Sequence, residues 1–265
     1  HQRFRIVELD LFTGKPRNII DEQTDTFIWT EHALRLGMAK VNWLSGSKEL
    51  LYLSEKDGHR HIYLVDIASG LMKAVTAGEF VVRYIDKVDE EARQIWFRAS
   101  GRHEEQDPYL IHYYRVNFDG SGFTALTDGN GTHEISYSPD RQFLIDTYSR
   151  VDQAPIHELR NVSNGKLVCK LEETDVSELL ATGWAPPEVF SAKGRDGKTD
   201  IWGIICKPAD FDPAKKYPVL EDMYAGPHDS YVPKRWSPGR RYSGWTDQGF
   251  VVIKVDGMGD RKSVV

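Results

Sequence analysis

Two polar residues occupy positions at which open α/β sheets carry their catalytic groups. Tyr224 closes an apolar run that leads into a Gly-Pro turn, and Asp256 closes a second apolar run that leads into a glycine-rich turn. Functional residues on parallel sheets lie just beyond the carboxyl ends of the strands. A phenol supplies a neutral O–H donor at such a place, and a carboxylate supplies an acceptor. Because no G-x-S-x-G nucleophile elbow occurs in the sequence, the pattern predicts an incomplete hydrolase-type site.

The elements that must position these residues are two buried strands with a helix between them. Residues 216–224 and 248–256 predict the strands, because both runs are short, apolar and bounded by Gly or Pro. Residues 238–249 leave room for one helix that ends at a glycine. Upstream, residues 189–193 and 199–208 predict an antiparallel hairpin around an Arg-Asp-Gly turn. This succession predicts the opening of a parallel α/β sheet.

Charge and apolar patterning argue against several classes of protein. The net charge is −6, and no cluster of Lys and Arg has the size of a nucleic-acid footprint, which argues against DNA or RNA as a partner. No apolar run approaches the roughly 18 residues that a membrane-spanning helix needs. His59 and His61 lie on one side of a predicted strand, but no third ligand follows at a suitable spacing, so packed or surface histidines are favoured over a metal pair. We expect no metal and no cofactor.

The two cysteines, Cys169 and Cys206, each lie within a strand-like run. Two buried, unpaired thiols are the favoured interpretation, with a disulfide between them as the alternative. The cellular compartment therefore stays open.

The first two thirds of the chain repeat one pattern, a strand followed by a polar turn that ends in glycine. Four such turns end at Gly14, Gly70, Gly120 with Gly122, and Gly165. In three of the four, an Asp or Asn stands four residues before the Gly, which predicts an Asx turn within a hairpin. Each unit has about four strands and spans roughly 45 to 55 residues, which is the period of a β-propeller blade.

The repeat predicts a mainly β fold, with a partial β-propeller of about three to four blades before the α/β region. A β-sandwich with irregular loops is the alternative. The first unit lacks its opening strands, so we expect further blades upstream. A short helix at 175–183 and the stiff linker Pro186–Pro187 place the domain boundary between residues 1–184 and 185–265.

Several stretches resemble the prolyl oligopeptidase family of serine peptidases, in its dipeptidyl peptidase IV-like branch. They are Glu55–Tyr63, Tyr114–Gly122, Phe211–Pro218, Asp222–Pro227 and Val255–Gly259. The first two are similar to the last propeller blades of that family, and the other three are similar to the start of its catalytic domain. The resemblance covers nearly the whole chain in the family's order. It implies that residues 185–265 begin an α/β-hydrolase (peptidase) domain.

The resemblance implies an enzyme that releases N-terminal dipeptides from peptides, often after Pro or Ala. Tyr224 matches the family's oxyanion-hole tyrosine. The Ser, Asp and His of the triad are expected beyond Val265, and the glutamate pair that holds the substrate amine is expected before His1, so we expect the chain alone to be inactive. Glu104 and Glu105 do not stand at the position of that pair, and a solvated loop is the favoured interpretation.

Two alternatives stay open at this point. One is a non-catalytic binding or scaffold module that carries a hydrolase-like remnant. The other is a different branch of the family, an oligopeptidase or acylaminoacyl peptidase with another end specificity. For the favoured branch, the resemblance implies a peptide substrate, a homodimeric parent protein and a periplasmic or extracellular location.

Overall fold

The computed structural model of the protein describes residues 2–29, 40–46, 48–224, 230–238 and 243–257. In these ranges the chain forms eighteen strands and only two short helices. The predicted mainly β fold class is therefore confirmed.

The first fourteen strands form a hairpin followed by three four-stranded sheets, in which each strand lies beside the next along the chain. The hairpin is β1 (Arg3–Leu9) and β2 (Pro16–Gln23). The first sheet is β3 (Val41–Trp43), β4 (Glu49–Ser54), β5 (His61–Asp66) and β6 (Met72–Ala74). The second sheet is β7 (Val81–Asp89), β8 (Gln94–Ser100), β9 (Ile111–Asn117) and β10 (Thr124–Ala125). The third sheet is β11 (Thr132–Tyr137), β12 (Phe143–Arg150), β13 (Gln153–Asn161) and β14 (Leu167–Glu173). Four-stranded sheets in chain order are the form of propeller blades.

The repeated turns have the geometry that their residue types predict. In three of them the glycine N–H donates to the carbonyl of the Asp or Asn four positions earlier, at 2.8 Å: Gly14 to Asp10, Gly70 to Asp66 and Gly165 to Asn161. The Asp or Asn side chain accepts a further backbone N–H within the same turn, also at 2.8 Å. The three glycines have φ between 67° and 72°, a conformation that costs an L-residue energy.

The described residues form two compact units. The described residues within 2–104 and 113–125 form the N-terminal unit, and those within 105–112 and 126–257 form the C-terminal unit. The core of the N-terminal unit is a cluster of buried aliphatic and aromatic side chains from its two four-stranded sheets, in which the rings of Phe97 and Tyr114 stack at 5.6 Å. Burying each such side chain stabilises the fold by about 1.5–3 kcal/mol.

The C-terminal unit contains a fourth sheet, in which two strands run parallel. Its order is β15 (Glu188–Lys193), β16 (Asp200–Cys206), β18 (Val251–Asp256) and β17 (Val219–Tyr224). Strands β15 and β16 form the predicted antiparallel hairpin, and β17 and β18 form the predicted parallel pair.

The two helices are short. Helix α1 (Ser177–Ala181) lies inside the predicted segment 175–183. Helix α2 (Ser243–Thr246) is a single turn, and it ends as predicted, because Gly249 takes a φ of 84° and donates its N–H to the Thr246 carbonyl.

Two predictions of burial were wrong. Strand β17 was predicted to be buried, but Val219 and Met223 are 57% and 61% exposed, since β17 is the edge strand of the described sheet. Cys169 was also predicted to be buried, yet it is exposed, because every residue of the edge strand β14 is exposed. The glycine turns that follow Tyr224 and Asp256, at 225–229 and from 258 onward, lie outside the described residues.

Candidate active site

The candidate site lies at the carboxyl ends of β17 and β18. Tyr224 and Asp256 are the last residues of these parallel strands and are register partners, and Asp222 pairs with Lys254 two positions earlier. Alternate residues of a strand point to the same face of the sheet. These four side chains therefore project from one face, next to segment 230–232.

Asp256 is a buried anchor. Its side chain accepts hydrogen bonds from the Ser230 hydroxyl at 2.7 Å and from the backbone N–H groups of Tyr231 and Val232 at 2.7 and 2.8 Å. Asp256 is only 3% exposed, and a buried carboxylate is stable when its oxygens accept several bonds in this way. Its role is to hold the segment that follows Tyr224 along the chain.

Tyr231 lies beside Tyr224, with the two ring centroids 5.4 Å apart and the ring planes tilted by 48°. The Tyr231 hydroxyl donates to Asp222 Oδ1 at 2.9 Å. Lys254 Nζ donates to Asp222 Oδ2 at 3.0 Å and lies 3.3 Å from the centroid of the Tyr231 ring. Tyr231 is thus held by its backbone, its hydroxyl and one ring face.

The Tyr224 side chain is 59% exposed. Within the part of the chain that the structure describes, no group hydrogen-bonds its hydroxyl. A phenol in this setting can donate its O–H to a bound molecule. The exposed Tyr231 hydroxyl at this edge already donates to Asp222, whereas the Tyr224 hydroxyl donates to no described group.

Lys234 extends the same segment within the C-terminal unit. Its ammonium lies 2.7 Å from Asp107 and 3.7 Å from Asp256. The next two residues contact the third sheet. Arg235 forms an ion pair with Glu134 at 2.6 Å, and the backbone N–H of Trp236 donates to the Ser149 hydroxyl at 3.2 Å. Segment 230–236 therefore ties the end of β18 to β11 and β12.

These supporting residues were not predicted from the sequence. Asp222 and Lys254 were visible as charged residues two positions before the ends of the two predicted strands, and a charged side chain that becomes buried there needs a partner. Tyr231 and Lys234 carried no signal, because their roles depend on contacts with distant parts of the chain.

A cavity of about 210 Å³ also lies in the C-terminal unit, lined in part by Trp184, Pro186, Cys206 and Pro233. Burial raises the pKa of the Cys206 thiol to about 11. The rings of Trp184 and Trp236 form an edge-to-face pair, with their centroids 5.2 Å apart.

The other polar residues singled out in the sequence lie elsewhere. His61 is buried, with Nδ1 at 3.1 Å from the Thr76 hydroxyl and Nε2 at 2.9 Å from the Gly78 carbonyl, and burial lowers its pKa. The interpretation of His61 as a packed histidine is confirmed. Glu104 and Glu105 are exposed in the loop between β8 and β9. Within the described ranges, no group of three His, Cys, Asp or Glu side chains is placed to hold a metal ion.

Comparison with known proteins identifies the family. Residues 1–155 match the family model described as the dipeptidyl peptidase IV (DPP IV) N-terminal region. The chain belongs to the dipeptidyl peptidase IV family. The resemblance inferred from the sequence is therefore confirmed at the level of the family.

Curated relatives support this assignment over much of the chain. A probable dipeptidyl peptidase 4 of Aspergillus clavatus is 24% identical over 237 residues, which cover 88% of this chain and 30% of the relative. Human dipeptidyl peptidase 8 is 30% identical over 199 residues, which cover 70% of this chain and 22% of the relative. The chain thus spans less than a third of the length of these dipeptidyl peptidases.

Solved structures of the family have the same fold. Porphyromonas gingivalis dipeptidyl peptidase 4 superposes with a TM-score of 0.72 at 25% identity, covering 97% of this chain and 35% of that one. A putative dipeptidyl aminopeptidase IV of Bacteroides ovatus gives a TM-score of 0.75 at 23% identity, covering 100% of this chain and 39% of that one. No helix in the described part of this family member has the length and apolar character to cross a membrane.

Proposed function

We propose that this chain is part of a serine exopeptidase of the dipeptidyl peptidase IV type, which releases N-terminal dipeptides, often Xaa-Pro or Xaa-Ala. In this proposal residues 1–184 are the terminal propeller blades and residues 185–265 begin the peptidase domain. The family match supports the general class. The observation that carries the proposal is the exposed Tyr224 at the carboxyl end of β17, in register with the buried anchor Asp256.

Tyr224 is the oxyanion-hole donor in this mechanism. When a serine attacks the scissile carbonyl, negative charge develops on the carbonyl oxygen. A neutral phenol donates a hydrogen bond to that oxygen without needing to change its own charge. One well-placed donor of this kind lowers the barrier by roughly 3–4 kcal/mol.

The nucleophile, the triad Asp and His, and the glutamates for the substrate amine belong to other parts of the parent protein. The sequence of this chain contains no G-x-S-x-G elbow, so residues 1–265 alone do not hydrolyse peptides. The parent protein acts on peptides as a homodimer, in a periplasmic or extracellular location.

Substrate-end specificity tests the proposed function. The full-length protein is assayed with Gly-Pro p-nitroanilide and with the same substrate acetylated at its amine, with residues 1–265 as the control. We expect cleavage of the free-amine substrate only, blocked by a serine-directed phosphonate, and no turnover by residues 1–265. Equal cleavage of the acetylated substrate would instead indicate another branch of the family, and a lack of any cleavage would indicate a binding module.

A further inference from the structure

Tyr231 is fixed from three directions, although its side chain is 37% exposed. Its backbone N–H donates to Asp256 at 2.7 Å, and its hydroxyl donates to Asp222 at 2.9 Å. The ammonium of Lys254 lies 3.3 Å from the ring centroid. An exposed tyrosine held in this way has little freedom to change its rotamer.

The ion pair between Asp222 and Lys254 explains part of the rigidity of Tyr231. Lys254 is 6% exposed, and lysines are rarely buried so deeply without a partner. Its partner Asp222 uses one carboxylate oxygen for Lys254 and the other for the Tyr231 hydroxyl. Since Lys254 also contacts the ring face, movement of Tyr231 breaks both a hydrogen bond and a cation–π contact.

The held ring lies against Tyr224. The centroid separation of 5.4 Å and the tilt of 48° are within the range of favourable aromatic pairs, which contribute about 0.5–1.5 kcal/mol. No described group forms a hydrogen bond with the Tyr224 hydroxyl. Ring contact with Tyr231 therefore restrains the Tyr224 ring, and with it the position of the Tyr224 hydroxyl oxygen.

We propose that Tyr231 is a positioning residue for Tyr224, and that the Asp222–Lys254 pair holds Tyr231 in place for this task. The inference rests on the proposed oxyanion role of Tyr224. A donor is effective only when it points at the place where the oxyanion forms, and a misplacement of about 1 Å can cost about 100-fold in rate. This demand for precision explains why a deeply buried lysine and its partner carboxylate lie next to Tyr224.

The test uses the full-length enzyme with Tyr231→Leu, Tyr231→Phe, Lys254→Met and Tyr224→Phe. The readouts are kcat and KM for a dipeptidyl substrate, the Kd of a dipeptide boronate, whose tetrahedral adduct resembles the oxyanion intermediate, and the Tm. We expect Tyr231→Leu to lower kcat and to weaken boronate binding by about 10-fold each, with KM changed less than about 2-fold. Tyr231→Phe keeps the ring, so we expect it to retain most of the wild-type kcat and boronate affinity. We expect Lys254→Met to lower kcat and weaken boronate binding as well, but by a smaller factor than Tyr231→Leu.

A matched control is Tyr217→Phe, because the Tyr217 oxygen accepts the Asp212 N–H at 2.8 Å outside this cluster. It removes one tyrosine hydroxyl from the same domain and should leave kcat and boronate binding unchanged. A purely structural role for Tyr231 would lower the Tm while leaving both readouts at the wild-type value, and this result would overturn the inference. Should Tyr231→Leu fail to fold, Lys254→Met decides: lower kcat with unchanged KM supports the inference, and unchanged kcat overturns it.

The Tyr224→Phe variant separates the positioning role of Tyr231 from the oxyanion role of Tyr224. If Tyr224→Phe lowers kcat but neither Tyr231→Leu nor Lys254→Met does, only the positioning role is wrong. If Tyr224→Phe itself leaves kcat and boronate affinity unchanged, the oxyanion role is wrong, and the positioning role falls with it.

Discussion

Tyr224 and Asp256 end neighbouring parallel strands as register partners, yet one side chain is exposed and the other is buried. Asp256 accepts three hydrogen bonds from segment 230–232, whereas no described group bonds the Tyr224 hydroxyl. The same edge of the sheet thus carries a structural carboxylate and an available donor. Their division of roles follows from the segment that folds back onto Asp256.

Removing the Asp256 carboxylate should destabilise the C-terminal unit. Asp256→Ala leaves the N–H groups of Tyr231 and Val232 without their acceptor, and each buried unsatisfied donor costs about 1–3 kcal/mol. We expect a loss of about 3 kcal/mol in the free energy of unfolding, measured by urea denaturation with tryptophan fluorescence, and a smaller loss for Asp256→Asn. The control is Asp200→Ala, at an exposed pair with Lys193, which should change stability by less than about 0.5 kcal/mol. Equal effects at both positions would contradict the anchoring role.

Alanine variants of two turn glycines should separate the cost of a left-handed backbone from the cost of a steric clash. Gly70 and Gly14 have similar φ values of 72° and 67°, but a Cβ at Gly70 would lie 2.8 Å from the Ile19 carbonyl oxygen, whereas a Cβ at Gly14 would meet nothing within 4 Å. Gly14→Ala should cost about 1–2 kcal/mol from the left-handed conformation alone. Gly70→Ala should cost clearly more, because the backbone must also move. Thermal unfolding of both variants checks this order, and the reverse order would refute it.

The contribution of Asp86 to the stability of the N-terminal unit should fall as the pH rises. Burial raises the pKa of Asp86 to about 6, although the Arg98 guanidinium opposes the shift. The folded state then binds more protons than the unfolded state between about pH 4 and pH 6, so this group's contribution to stability falls across that window. The unfolding free energy of Asp86→Asn should therefore improve relative to wild type between pH 4 and 6.5.

Asp10 provides the opposite case for the same pH titration. Backbone N–H groups of Thr13 and Phe12 lower its pKa, so its contribution is present above its unfolded pKa and is lost as the pH falls. Asp10→Asn should therefore lose stability relative to wild type at neutral pH and regain it in acid. The same pH trend for both variants would show that the assigned directions are wrong.

The two thiols should differ in reactivity. Cys169 is exposed on an edge strand, whereas the pKa of Cys206 is raised to about 11 by burial. Because the thiolate is the reactive form, and because its greater nucleophilicity only partly offsets its low abundance, Cys206 should react with Ellman's reagent at pH 8 at least about 10-fold more slowly than Cys169. Cys169→Ser should remove the fast phase and leave the slow one. A single fast phase with two equivalents of thiol would contradict the partial burial of Cys206 and its raised pKa.

The repeated turns and most strands were predictable because their determinants are local. An Asp or Asn and a Gly four residues later specify the turn at Asp66–Gly70 without reference to the rest of the fold. The parallel pair at Tyr224 and Asp256 was predictable from two short apolar runs with a helix-length segment between them.

The remaining features depend on which strands become neighbours. The exposure of β17 follows from its edge position in the sheet that the described residues form, and sequence periodicity does not encode strand order. Likewise, Tyr231 gains its role only when Asp256, Asp222 and Lys254 meet around it. The opening strands of the four-stranded sheets, such as β3 and β11, were expected only from the repeat, since their own residues gave a weak pattern.

The measurement that tests the central claim most directly is the kcat of Tyr224→Phe in the full-length enzyme on a Gly-Pro substrate. Loss of one oxyanion donor should lower kcat by about 100- to 1,000-fold with KM little changed, while Tyr217→Phe stays at the wild-type rate. A Tyr224→Phe enzyme with wild-type kcat would contradict the assignment of Tyr224 as the oxyanion-hole donor.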